Sequence, residues 1–71
     1  VSDYVILVER TGDGGYGAWA PDLPGCVALG DTYSEVVTAM VDAVRLHLEG
    51  LREDGIAAPE PTTVGTTTIA A

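Results

Sequence analysis

Between Gly30 and Gly55 the chain spells one long helix with a marked start and a marked stop. In "GDTYSEV", Thr32 and Glu35 form the S/T-x-x-E pattern, in which each side chain satisfies a backbone N–H at the helix start. Asp31 and Glu35 also lie at the positive end of the helix dipole. The pattern predicts a helix from Tyr33 to Asp54, ended by Gly55 at the position that favours positive φ. Gly30 reads as a flexible hinge before the cap. Val37, Met40, Val41, Val44, Leu48 and Leu51 recur at helical spacing as one apolar stripe, widened by Val36, Ala39, Ala43 and Leu46. Arg45, Glu49, Arg52 and Glu53 mark the wet side, where Glu49 is in reach of Arg45 or Arg52. So wide a stripe either covers a small sheet, which the segments before it supply, or adds a helix-mediated oligomer contact.

"YVILVER" is β-branched, aromatic and aliphatic, and short. Tyr4, Ile6 and Val8 share one face, and Val5, Leu7 and Glu9 the other. Both faces are apolar until Glu9, which predicts a central strand. "TGDGG" has tight-turn chemistry. "YGAWAP" is the returning strand of a hairpin, ended by Pro21, which has no N–H to donate. Pro24-Gly25 fits the middle of a type II turn. "CVAL" is a short third strand. "IAAPEP" reads as an extended connector, and Thr62–Ala71 as a fourth strand or a partly ordered tail. The expected fold is α+β, in the order β-β-β-α-β. A right-handed crossover sets strand four beside strand one, giving sheet order 3-2-1-4. One sheet face then has no cover within the chain, which predicts an intermolecular contact.

The chain has 71 residues, enough for one domain spanning 1–71 and marginal for a stable core. Its single cysteine closes no intrachain disulfide, and Cys26 and His47 stand in no metal-ligand spacing. Self-association, with a dimer favoured, or a bound partner is the expected supplement. Cys26 has no neighbouring base to lower its pKa and reads as a small apolar residue. There are 11 carboxylates against 3 arginines, for a net charge of −8. Such a surface repels nucleic acid, so DNA or RNA binding by this chain alone is not expected. It attracts a basic protein. No segment is apolar enough to span a membrane, and no basic leader opens the chain. The expected location is the cytoplasm.

Four pieces in order carry a family likeness: "YVILVER" with its glycine turn, "GGYGAWAPDLPGC", "GDTYSEV" and "LREDGIAAPEP". Together they cover Asp3 to Pro61, and the chain resembles the HicB antitoxins, partners of HicA toxins. Val36 stands where alanine is common in that family. The resemblance implies a partial ribonuclease-H-like fold without nuclease chemistry and a role in masking a basic, RNA-cleaving toxin of a type II toxin–antitoxin system. Many such antitoxins carry a C-terminal DNA-binding segment. None is found up to Ala71, so the chain looks like the N-terminal module alone, without operator binding.

Within that reading, no catalytic residue, cofactor or metal is expected. Trp19 is either a partner anchor, as tryptophan often is at interface centres, or a shield over the sheet. Asp22 and Asp31 are candidate partner contacts, and Thr32 and Glu35 the helix cap. Two rival readings remain. One is a stand-alone oligomerisation or regulatory module without a toxin. The other is a metal-dependent nuclease, for which Asp22, Asp31, Glu35 and Asp42 are the candidate carboxylates.

Overall fold

A computed structural model describes residues 3–71. Three short strands precede one helix: β1 (Leu7–Arg10), β2 (Tyr16–Trp19), β3 (Val27–Gly30) and α1 (Tyr33–Glu53). The strands form an antiparallel meander in the order β1-β2-β3. Its register runs Leu7–Trp19–Val27, Val8–Ala18–Ala28, Glu9–Gly17–Leu29 and Arg10–Tyr16–Gly30 across the sheet. The fold class is therefore α+β, as expected, with two corrections. Residues 56–71 form no strand, so the order 3-2-1-4 is not seen, and β2, not β1, is the middle strand. The apolar run Tyr4–Val8 reads as central because both of its faces are apolar. Its ladder nevertheless begins only at Leu7, because β2 ends at Trp19 and the Ala20 N–H turns to the Cys26 carbonyl, 3.2 Å away.

The helix ends follow local chemistry. Thr32 is the N-cap, and its hydroxyl accepts from the Glu35 N–H at 3.1 Å. The Glu35 carboxylate reaches one residue further back than the usual box and accepts from the Asp31 N–H, also at 3.1 Å. At the other end Gly55 has φ 72°, its N–H donates to the Arg52 carbonyl, and the Ile56 N–H donates to that of Leu51. This is a Schellman closure.

α1 lies over β2 and β3 on one sheet face. Ala18, Ala20, Leu23, Cys26, Val36 and Met40 form the buried core. The helix stripe is accordingly centred on Val36 and Met40, while Val37 and Val41 stay exposed on the flank. The reason is the offset of the helix from β1. Gly30 is no hinge. A Cβ there would stand 2.6 Å from the Val36 nitrogen and 2.9 Å from its Cα, so the absent side chain lets helix and strand touch.

The turn between β2 and β3 is itself part of the core. Gly25 takes φ 83°, as a type II turn requires. The Leu23 N–H donates to the Ala20 carbonyl and the Cys26 N–H to that of Leu23. These two bonds fold "PDLPGC" inward, and Leu23 becomes fully buried.

Candidate protein-binding surface

The sheet face opposite the helix is built by the strand period. Residues of the Leu7–Trp19–Val27 and Glu9–Gly17–Leu29 rows point there, because side chains alternate along each strand. No element of the described chain covers them. Val27 is 64% exposed, Leu29 75% and Trp19 36%. Leu29 lies across Gly17, where a Cβ would be 3.5 Å from Leu29 Cδ2. Trp19, Val27, Leu29 and Glu9 thus border a shallow depression of about 310 Å³. Large apolar groups left in water on one face mark an interaction surface.

The remaining candidates are scattered over the molecule. Asp22, in the β2–β3 turn, is tied within the chain. Its carboxylate accepts from the Thr62 hydroxyl at 2.9 Å and from the Thr63 N–H at 3.0 Å. The Thr63 N–H is the main reason its pKa is held below the ordinary carboxylate value of 3.8. Asp31 lies past the opposite end of β3, four residues from Val27 and so about 13 Å along the strand. The fold therefore does not bring Asp22 and Asp31 together. Thr32 and Glu35 serve the cap. Asp42 sits on the exposed helix face beside Arg45, at 3.8 Å, so Arg45 pairs there and not with Glu49. These carboxylates face different ways, and among the described residues no three acidic, His or Cys side chains converge.

Two further features concern the turns. Asp13, in the β1–β2 turn, accepts from the Thr11 hydroxyl and, at 3.2 Å, from the Gly15 N–H. The Thr11 bond is the larger cause of its lowered pKa. Cys26 is buried, and desolvation pushes its thiol up, away from the thiolate a nucleophile needs. Sequence reasoning did not single out Val27 and Leu29. Their signal was available in "CVAL", whose alternate residues must face away from a helix that already covers Ala28.

The molecule is thus a small acidic α+β domain, one helix on a three-stranded meander, with its second sheet face uncovered. The model of the HicB-like antitoxins of bacterial toxin–antitoxin systems matches residues 4–70, and the chain belongs to that family. It is 39% identical over 51 residues to the UPF0150 protein ssr1765 of Synechocystis, covering 72% of this chain and 65% of that protein. An uncharacterized 14.9 kDa protein of Haemophilus phage HP1, from its rep-hol intergenic region, is 43% identical over 51 residues, covering 72% of this chain and 38% of its own length. The UPF0150 protein ssl0738 of Synechocystis is 34% identical over 53 residues, covering 75% and 74%. The chain thus spans less than two thirds of the first two relatives.

Proposed function

We propose that this chain is the toxin-covering module of a type II antitoxin, masking the RNA-binding surface of a basic HicA-like toxin. The observation that carries the reading is the uncovered apolar face of Trp19, Val27 and Leu29 on a chain of net charge −8. An apolar centre with charges around it is the usual anatomy of a protein interface. Glu9 stands on the face, and Asp31 is exposed beyond one end of β3. The acidic field steers a basic partner in, and the apolar centre holds it. The meander and helix are read as part of a ribonuclease-H-like sheet that serves as scaffold and not as nuclease. The same charge keeps this module off DNA and RNA, and the setting is the cytoplasm. Among the described residues, no helix is long and apolar enough to cross a membrane.

The test is whether a small basic protein co-purifies with this chain from its own host, followed by binding of that protein measured across a salt series. Binding is expected to weaken with salt, mainly through a slower on-rate. Trp19→Ala is expected to weaken it by about 2 kcal/mol or more, the size of a hot-spot loss. Salt-independent association, or full affinity for Trp19→Ala with Leu29→Asp, refutes the proposed surface.

A further inference from the structure

The sheet has a second open feature, at β1. The helix is set over β2 and β3, so the core-facing side of β1 is roofed only in part. Between β1 and the helix flank runs an apolar groove of about 340 Å³, bordered by Ile6, Val8, Tyr33, Val37 and Val41. Among the described residues, no strand neighbours the outer edge of β1. An unpaired edge beside an apolar groove is a template for one more strand, with backbone pairing for affinity and pockets for alternate side chains.

The chain also holds a strand-like segment with nowhere to go. Residues 64–71 make no regular structure, and Val64 is 95% and Ile69 85% exposed. Val64, Thr66, Thr67, Thr68 and Ile69 are β-branched, the type that strands favour. The radius of gyration is 13.2 Å, against about 11 Å for a compact chain of this length, so the tail stands off the body. Its own β1 is poorly placed to receive it. The connector passes the segment before β1 at Pro59, whose carbonyl accepts from the Tyr4 hydroxyl at 2.6 Å, and then reaches Asp22 through Thr62 and Thr63. Asp22 lies between β2 and β3. From there the empty place outside β1 is about two and a half strand spacings away, or ~12 Å. About half of residues 64–71 would be spent on the return.

We propose that residues 64–71 of one copy add as a fourth strand to the β1 edge of a second copy, with the exchange reciprocated in a closed dimer. The run has the same length as residues 3–10 and spans about 26 Å when extended. Charge selects this contact. Two chains of net charge −8 repel each other, but Pro61–Ala71 has no charged side chain, and the groove residues named above have none either. Either face of the added strand suits the site: one enters the groove, and the other extends the apolar row that begins at Leu7. The groove lies on the sheet face opposite the proposed toxin surface, and the outward side chains of the added strand would lengthen that surface past Leu7.

The experiment uses the 71-residue chain alone. Sedimentation equilibrium over a dilution series measures the dimer. Isotope-filtered NOEs in a mixture of labelled and unlabelled protein locate it. The expected result is a dimer with intermolecular NOEs from the methyls of one of Val64 and Ile69 to Ile6, Val37 or Val41, and from those of the other to Leu7 on the opposite face, since residues five apart alternate sides. Val41→Glu sets a charge in the groove from an already exposed helix position and is expected to raise the dimer dissociation constant at least about tenfold. Ile69→Asp, in the free tail, is expected to act likewise with the denaturation midpoint of the monomer unchanged. Three results overturn the proposal: a monomer at every concentration, a dimer indifferent to both substitutions, or tail NOEs that arise within one chain.

Discussion

Replacing Gly30 with alanine asks whether the closest contact in the fold sets its stability. The added Cβ would meet the Val36 nitrogen at 2.6 Å, its Cα at 2.9 Å and the Glu35 carbonyl carbon at 3.1 Å. All three are backbone atoms of the first helical turn, so no side chain can swing aside. Helix and strand must separate, and overpacking of this kind costs about 1–3 kcal/mol. Alanine also lowers the entropy of the unfolded chain, which returns about 0.4–1 kcal/mol. The steric loss wins, leaving a net destabilisation of about 1–2 kcal/mol. In a domain of this size that lowers Tm by about 4–16 °C. Gly50→Ala is the matched control. It lies in the helix, nothing stands within 4 Å of its Cβ, and its φ is not positive. There alanine is expected to stabilise by about 0.5–1 kcal/mol. Both are read by thermal and urea unfolding at one protein concentration, since self-association shifts Tm by mass action. Opposite signs support the reasoning. A Gly30→Ala protein as stable as the parent would refute it, because the helix would then have room to move away without loss.

Thr32→Ala removes the hydroxyl that accepts from the Glu35 N–H and is expected to cost about 0.5–2 kcal/mol in urea unfolding, with every apolar contact kept. Asp22 ties the connector to the β2–β3 turn with its pKa held below the usual value. Its stabilising effect is therefore present above pH 4 and is lost as pH falls through the lowered folded value. The protection of the Thr63 amide, its intrinsic exchange rate at each pH divided by the observed rate, is expected to fall over that acid range in the parent chain. In Asp22→Asn the same amide is expected to exchange faster at neutral pH, with no acid step.

Much of this protein is local and therefore legible in its residues. A cap needs only Thr32 and Glu35 a turn apart, and a helix end needs only Gly55 free to take positive φ, so α1 was predicted to within a residue of its observed ends. The two reversals are equally local: Gly14 at φ 89° in the first and Gly25 at φ 83° in the second depend on their own backbones. What distant groups decide was not legible. An apolar run such as "YVILV" reports that its faces avoid water, but not which neighbour covers them, so β1 passed for a central strand. Leu23, set among turn residues, gives no periodic signal, and only the inward fold of the loop makes it core. Gly30 looks like any glycine before a cap until Val36 is packed against it. Asp22 and the threonines that hold it are some forty residues apart. No spacing rule joins them, because the tie exists only once the connector has crossed the end of the sheet.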